Sequence, residues 1–353
     1  MAVSVVIPLY NKAPHVARAV ASVLAQSVHD FELVVVDDGS TDGGGDIVRQ
    51  FRDPRIRLVR QQNGGAAAAR NRGIHESRFD RIAFLDADDE WTPVFLETVL
   101  GLSARHPQAG IYATAYRCSM GQAIWRPSFT DCVDRPEGGI LEDYFRTGLK
   151  SSPVTASSSM IPRRVFEDVG GFLVGVARGE DLQMWIRIAL RYRVAWSPVE
   201  GAIYHLDADN RACATPEETT TDLAIGPSLE ELLRSGPEPI VPRTSVQEYL
   251  VGLRLAEALD SHLAGQHARA VGLVEKTKGT RVFRRRRWLA MCALRVPPPV
   301  LSLMLNARAV LRFGEEANGP SFGQRKRYDE LRHWAATWGR NTRSDQQGEG
   351  RNR

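Results

Sequence analysis

The residues best suited to chemistry stand together at Phe84-Leu85-Asp86-Ala87-Asp88-Asp89, where an apolar run ends in three carboxylates around one alanine. Arg81 to Leu85 reads as a short buried strand, so the acids emerge at its carboxyl end, in the crevice where open α/β sheets bind ligands. Massed carboxylates repel unless a cation joins them. A hard divalent ion such as Mg2+ or Mn2+, completed by phosphate oxygens and water, is the usual solution. The same acids could instead cap a helix starting near Pro93. A second acidic pair, Glu180-Asp181, opens a run in which Leu182, Trp185, Ile186 and Ala189 share a helical face. Acids at a helix N-terminus favour its dipole, which alone would account for them.

The elements that must position the first cluster alternate. Val3 to Pro8 is a β-rich run stopped by proline, and Val16, Ala19, Val20, Val23 and Leu24 recur at helical spacing from Ala13 to Gln26. Phe31 to Val36 repeats the strand, Asp46 to Phe51 the helix, Ile56 to Val59 the strand, and Ala66 to His75 the helix before Arg81. Alternation of this kind predicts a largely parallel sheet covered on both faces, with the loops after the strands on one rim. That rim carries Pro8-Leu9-Tyr10-Asn11, Asp37-Asp38-Gly39-Ser40-Thr41-Asp42, Gln61-Gln62-Asn63-Gly64-Gly65 and the acidic cluster, all polar or glycine-rich, which suits a nucleotide. Asp38 could accept from the ring N–H of uracil or thymine, and Tyr10 could lie against the base. Asp37 to Asp42 equally form a loop with a helix cap. No Gly-x-Gly-x-x-Gly and no Walker A sequence is present, so dinucleotide oxidoreductases and P-loop NTPases lose their main support.

At 353 residues the chain is long enough for about two domains, and 43% hydrophobic with 25% charged residues is globular composition. A formal charge of +4 does not by itself call for nucleic acid. Cys118, Cys132, Cys213 and Cys292 are scattered without zinc spacing and read as reduced thiols. No leader precedes the first strand pattern and no run reaches the length of a spanning helix. A cytoplasmic protein, at most peripheral at the inner face of a membrane, is the expectation.

The chain closely resembles the family two glycosyltransferases of GT-A fold. The resemblance rests on Val5-Val6-Ile7-Pro8-Leu9-Tyr10-Asn11, Val34-Val35-Val36-Asp37-Asp38-Gly39-Ser40-Thr41-Asp42, Asn63-Gly64-Gly65 with Ala69-Arg70-Asn71-Arg72-Gly73-Ile74, and Phe84-Leu85-Asp86-Ala87-Asp88-Asp89, four motifs in the right order. It implies a Rossmann-like mixed sheet flanked by helices, followed here by a C-terminal α-helical region. It also implies a nucleotide-diphosphate sugar donor, UDP- or dTDP-linked, bound by Pro8, Tyr10, Asp38, Asn63, Arg70 and Asp86. In this resemblance Asp86 serves the ribose and the metal shell, Asp88 is the direct ligand of Mn2+ or Mg2+, and His205 lies where relatives sometimes place a metal or diphosphate ligand. Arg70 equally suits a structural ion pair. Asp181 takes the role of catalytic base, which single displacement with inversion requires. A metal-dependent nucleotidyltransferase and a non-catalytic nucleotide-sugar scaffold are the competing classes. The processive synthases of the family carry Gln-x-x-Arg-Trp, whereas Arg284 precedes Arg287-Trp288 here, which implies one sugar per encounter.

Residues 1–214 form the expected catalytic domain, with 1–100 as the nucleotide-sugar half and 101–214 as the acceptor and base half. Ser119 to Pro136 is expected to be an irregular loop, Val165 to Gly171 a short helix ended by glycine, and Trp185 a core anchor. The expected linker is 215–244, the helical basic region 245–313, and the tail 314–353. Within it, Val246 to Thr277 reads as a helical hairpin broken at Gly265-Gln266. Arg281, Arg284 to Arg287, Arg295, Arg308 and Arg312 then alternate with apolar residues, with no acid from Arg281 through Gly314. That composition fits peripheral contact with an anionic membrane through 281–313 and equally a solvated face around a helical core; nucleic acid is the runner-up. A glycan or lipid-linked acceptor accords with the resemblance and the basic patch.

Overall fold

The computed structural model describes residues 2–132, 135, 137–176, 179–208 and 226–304. The chain divides into two units, one of residues 1–212 with 223–245 and one of 213–222 with 246–353.

In the first unit β1 (Val3–Leu9), β2 (Phe31–Asp37), β3 (Ile56–Arg60) and β4 (Arg81–Phe84) pair in parallel, in the order β3-β2-β1-β4. Alternate residues of β1 and β2 serve two cores. Val3, Val5, Ile7, Leu9, Leu33 and Val35 face Val16, Ala19, Val20 and Val23 of α1 (Ala13–Leu24). Val34 and Val36 instead meet Ala69 of α3 (Ala66–Glu76), with α2 (Gly44–Gln50) between β2 and β3 in sequence. Strands apolar on both faces can only be buried between helices, so the βαβ pattern follows from composition. Helix α3 lies very close to β1: a Cβ on Gly73 would stand 2.2 Å from Val6 Cγ1.

Beyond β4 the sheet becomes mixed, in the order β4-β9-β6-β10-β5. β9 (Ser159–Pro162) runs antiparallel to both β4 and β6 (Ile111–Met120), β10 (Val194–His205) is parallel to β6, and β5 (Glu90–Trp91) is antiparallel to β10. Short β7 (Ala123–Trp125) and β8 (Gly139–Ile140) pair with β6 and β10. The stretch 119–136 is therefore not wholly irregular, because β6 continues to Met120 and turns back through β7 at Gly121, whose φ of 56° lets the hairpin close. Helices α4 (Phe95–Arg105), α5 (Tyr144–Thr147), α6 (Arg163–Val169) and α7 (Glu180–Ala189) complete this half. Gly170 ends α6 as the sequence predicts, and Trp185 is fully buried in α7.

The stretch 215–244 is not a bare linker. It holds α8 (Gly226–Ser235), and the Ile240 amide donates to the Leu190 carbonyl at 3.1 Å, so 226–245 goes with the first unit. Leu229, Leu232 and Leu233 have helical spacing that the surrounding Pro and Glu obscured. In the second unit α9 (Arg243–Leu263), which begins at the boundary, and α10 (His267–Glu275) form the predicted hairpin around Gly265, followed by α11 (Arg284–Ala293). The stretch 305–353, with the expected tail, lies outside the described residues. No helix among the described residues is long and apolar enough to cross a membrane.

Candidate active site

Each loop of the rim is held by its neighbours. Asp38 is 2% exposed; its Oδ1 accepts from Gln61 Nε2 (2.7 Å) and the Gly64 amide (2.9 Å), and its Oδ2 from the Gly65 amide (2.8 Å). Gly65 directly precedes α3, so the carboxylate neutralises the first turn of that helix and ties the β2 loop to the β3 loop. Asp42 bridges two more helix starts, accepting from the Ala13 amide (2.7 Å) and the Gly44 amide (2.9 Å). The capping role of the Asp37 to Asp42 stretch is thus realised. Three of about four lone-pair positions on Asp38 are thus used within the protein. Gly39, at a φ of 78°, lies flat on the next loop: a Cβ there would stand 3.0 Å from the Asn63 nitrogen. Pro8 sits in β1 opposite Val36, and the Asp38 amide donates to the Leu9 carbonyl (2.8 Å). Exposed Tyr10 and Asn63 therefore flank Asp38.

Arg70 joins two motifs far apart in sequence. It projects from α3, 4% exposed, with Nη2 donating to Asp86 Oδ1 (2.7 Å) and Nη1 to Glu180 Oε1 (2.7 Å). Its guanidinium also stands 5.5 Å from the Phe172 ring centre. Burial opposes its charge, but the carboxylates of Asp86, Glu180 and Asp181 outweigh burial and hold it above its ordinary range. Asn71, the next residue, clamps the segment leading to α7 by donating to the Phe172 carbonyl (2.7 Å) and accepting from the Phe172 amide (2.8 Å). Asp181 follows Glu180 at the start of α7, and its Oδ1 accepts from the Leu182 amide (2.6 Å). Burial, reinforced by Glu180, pushes its carboxyl up to about 6 against the pull of Arg70. A carboxyl in that range is ionised at neutral pH yet basic enough to take a proton.

The other acids of the cluster have separate partners. Asp88 Oδ2 accepts from Lys12 Nζ (2.8 Å), and its carbonyl accepts from Arg18 Nη2 (2.5 Å), both donors coming from the β1 end of the rim. Asp89 is fully buried; Ser157 Oγ donates to its Oδ2 (2.5 Å) and the His205 amide to its Oδ1 (3.0 Å). Ser157 Oγ also accepts from the Asp86 amide (3.1 Å), so one serine sets the exit of β4. Burial, and then Asp88 and Asp86, push Asp89 well above the usual carboxylate range. The His205 ring reaches Glu90 Oε1 through Nε2 (3.2 Å), with Nδ1 4.0 Å from Asp207 Oδ1.

Among the described residues no three His, Cys, Asp or Glu side chains form a ready metal cage. Asp88 nevertheless fits a hard cation. The Lys12 ammonium already stands against its Oδ2, and a single carboxylate completed by phosphate oxygens and water is a common shell for Mg2+. His205 holds Glu90 through Nε2, so a further ligand would meet its Nδ1.

The predicted residues therefore fall into three groups. Pro8, Tyr10, Asp38 and Asn63 gather around the β2 loop, while Arg70, Asp86 and Asp181 meet through Glu180. Asp88 directly precedes Asp89, to which the His205 amide donates, and it holds Lys12. Sequence reasoning named no role for Lys12, Arg18 or Ser157, and for Glu180 it gave a place at the helix N-terminus but not the pairing with Arg70. Lys12 and Glu180 each stand beside a motif, which was the only available signal; Ser157 carried none.

The Glycosyl transferase family 2 model matches residues 4–170. The putative teichuronic acid biosynthesis glycosyltransferase TuaG of Bacillus subtilis is 44% identical over 190 residues, 53% of this chain and 71% of that protein. Three other curated glycosyltransferases, from Nostoc, Escherichia coli and B. subtilis, are matched over only 32%, 44% and 26% of their own lengths. Two solved structures share the fold. S. aureus TarS 1–349, in complex with UDP-GlcNAc, superposes with a TM-score of 0.59 at 17% identity, over 95% of this chain and 92% of that one. The mannosyltransferase PcManGT of Pyrobaculum calidifontis, in complex with GDP-Man and Mn2+, gives 0.55 at 20% identity, over 95% and 85%. With its motifs on the rim of a GT-A sheet and this relationship to TuaG, the chain belongs to glycosyltransferase family 2.

Proposed function

We propose that the protein transfers one sugar, with inversion, from a nucleotide-diphosphate sugar to a hydroxyl acceptor, non-processively. The observation that carries this reading is the chain Asp86–Arg70–Glu180, which brings the donor rim and the Glu180-Asp181 pair to one place. The Asp38 loop, with Pro8, Tyr10 and Asn63, receives the base of a UDP- or dTDP-linked donor, and Asp86 receives the ribose. Asp88 would hold Mn2+ or Mg2+, with His205 as a second ligand. When bound, the ion offsets charge on the departing diphosphate. Lys12 and Arg18 add fixed positive charge on the same side of the rim.

Asp181 takes the proton of the acceptor hydroxyl as that oxygen bonds to the anomeric carbon. The bond from that carbon to the diphosphate oxygen breaks on the opposite face, and its electron pair leaves with the nucleoside diphosphate. One base with no second nucleophilic carboxylate accords with single displacement. The acceptor is a glycan or a lipid-linked precursor of a cell-surface polymer, a reading supported by the similarity to TuaG.

Calorimetric titration of UDP, dTDP and GDP into the wild type and Asp88→Asn, each with and without Mn2+, tests the donor site. Metal-dependent binding of one nucleotide, weakened in the variant, is expected and names the base. Failure of all three to bind folded wild type removes the donor-site reading.

A further inference from the structure

Helix α11 of the second unit begins against its own electrostatics. Its first four residues are Arg284 to Arg287, no acid stands in its first turn, and its N-cap, Phe283, offers no side-chain acceptor. A helix N-terminus already carries partial positive charge and amides without intrahelical partners, so four guanidiniums there oppose the helix they start. Local sequence rarely conflicts with local structure unless a function requires it. Arg281, Arg284, Arg285 and Arg295 are exposed and form no ion pair among the described residues. The inward side of the helix is conventional: Ala290 and Leu294 are buried, and the Phe283 ring fills the space over Gly252, where a Cβ would come within 3.1 Å. The outward side is not. Trp288 is 58% exposed there, and Val282 (57%), Leu303 (69%) and Met304 (60%) are exposed in the flanking segments.

We propose that Arg281 to Met304 is a docking surface for an anionic lipid bilayer, with Arg281, Arg284, Arg285 and Arg295 at the headgroup phosphates and the exposed Trp288, Val282, Leu303 and Met304 at the acyl boundary. The charge selects a polyanion. The apolar residues select which one. Val282, Leu303 and Met304 offer no flat face for stacking and no hydrogen bond to a base edge, as single-stranded nucleic acid would require, whereas they gain directly by leaving water for hydrocarbon. A tryptophan beside arginines is also the pairing favoured at a membrane interface. Once phosphates approach, the opposition at the start of α11 becomes an attraction, because the uncapped amides and the guanidiniums then face the same anions. The surface is independent of the sugar-transfer reading, since it lies in the other unit and uses none of the rim residues.

Co-flotation of the full chain with phosphatidylcholine vesicles, with and without phosphatidylserine, tests the proposal, alongside the double variant R284S/R285S, W288S and the charge-preserving R284K/R285K. Far-ultraviolet circular dichroism and UDP titration of each variant check folding and the donor site separately. Flotation that needs phosphatidylserine is expected, weakened at least tenfold in R284S/R285S, since each arginine near such a surface contributes about fivefold. It should also weaken in W288S and persist in R284K/R285K. Absence of flotation, flotation indifferent to phosphatidylserine, or wild-type flotation by the folded serine variants overturns the proposal. So does binding of a single-stranded oligonucleotide without vesicle binding, or a change of oligomeric state in the variants without loss of flotation; these outcomes reassign the surface to nucleic acid or to a second copy of the chain.

Discussion

At the rim of the first unit, charge is met by charge or by a backbone amide. Asp38 holds the Gly64 and Gly65 amides, Asp86 and Glu180 share Arg70, and Asp88 holds Lys12. At the start of α11 in the second unit, four arginines crowd a helix end that would prefer acids, and no acid of the first turn answers them. The difference teaches where each region keeps its capacity for a ligand. The rim is assembled before anything binds, and a donor must exchange with partners already present; at the arginine turn Arg284 and Arg285 are exposed and form no ion pair among the described residues. Removing a paired charge such as Arg70 or Asp38 should therefore harm the first region, and removing Arg284 and Arg285 should relieve the second.

The largest effect is expected at the base. Asp181→Asn should lower kcat by about 10²–10⁴-fold while leaving nucleotide affinity nearly unchanged; equal loss of both, by single-turnover assay and calorimetry, removes Asp181 from the role. Next comes Arg70→Met, which strands Asp86 and Glu180 and should cost about 3–5 kcal/mol of stability in denaturant melts. A loss below about 1 kcal/mol would mean that the buried pair adds little beyond its desolvation cost.

The pH dependence of Asp181 follows. Folding raises its pKa from the ordinary 3.8 to about 6, so the folded chain holds this proton more tightly than the unfolded one. The resulting stability is fully present below pH ~4 and is lost as pH rises through about 6. Asp181→Asn should thus match the wild type in acid and exceed it by about 3 kcal/mol at pH 8, while wild-type activity falls as pH drops through about 6. A constant stability gap across this range counts against the raised value. Asp38→Ala should cost about 1–2 kcal/mol through the lost contacts to the start of α3, and thermal melts would show it.

The smallest effect has the opposite sign. R284S/R285S should leave stability unchanged or raise it by a few tenths of a kcal/mol per site, because screened positive charge leaves a helix N-terminus. A marked loss on melting would show that these arginines have partners within the fold.

Much of this contrast could be read before any coordinates. The strands β1, β2 and β4 announce themselves as mostly apolar runs, and the loops after the strands carry the motifs. What the sequence concealed are the pairings that tertiary contact decides. Ser159–Pro162 is too short and too mixed to have a period, yet it becomes β9 between β4 and β6. Ser157 is an unremarkable serine until the chain brings it to Asp89 and the Asp86 amide. Lys12 follows a recognisable motif, but its partner lies 76 residues away. Glu180 and Arg70 are 110 residues apart, and only tertiary contact makes their charges one system. The capping of α3 by Asp38 belongs to the same class, since turn-forming residues at 37–42 foretell a cap but not which helix receives it.

Gly73 lies one helical turn beyond Arg70, against Val6. The missing methyl group there acts as a height gauge for α3, letting the helix settle onto the sheet until backbone meets side chain. A guanidinium mounted on that helix inherits the setting and meets Asp86 and Glu180 at equal distances of 2.7 Å. Alanine at 73 would lift the mount, and the electrostatic balance around the proposed base would shift without any change in the charged residues themselves.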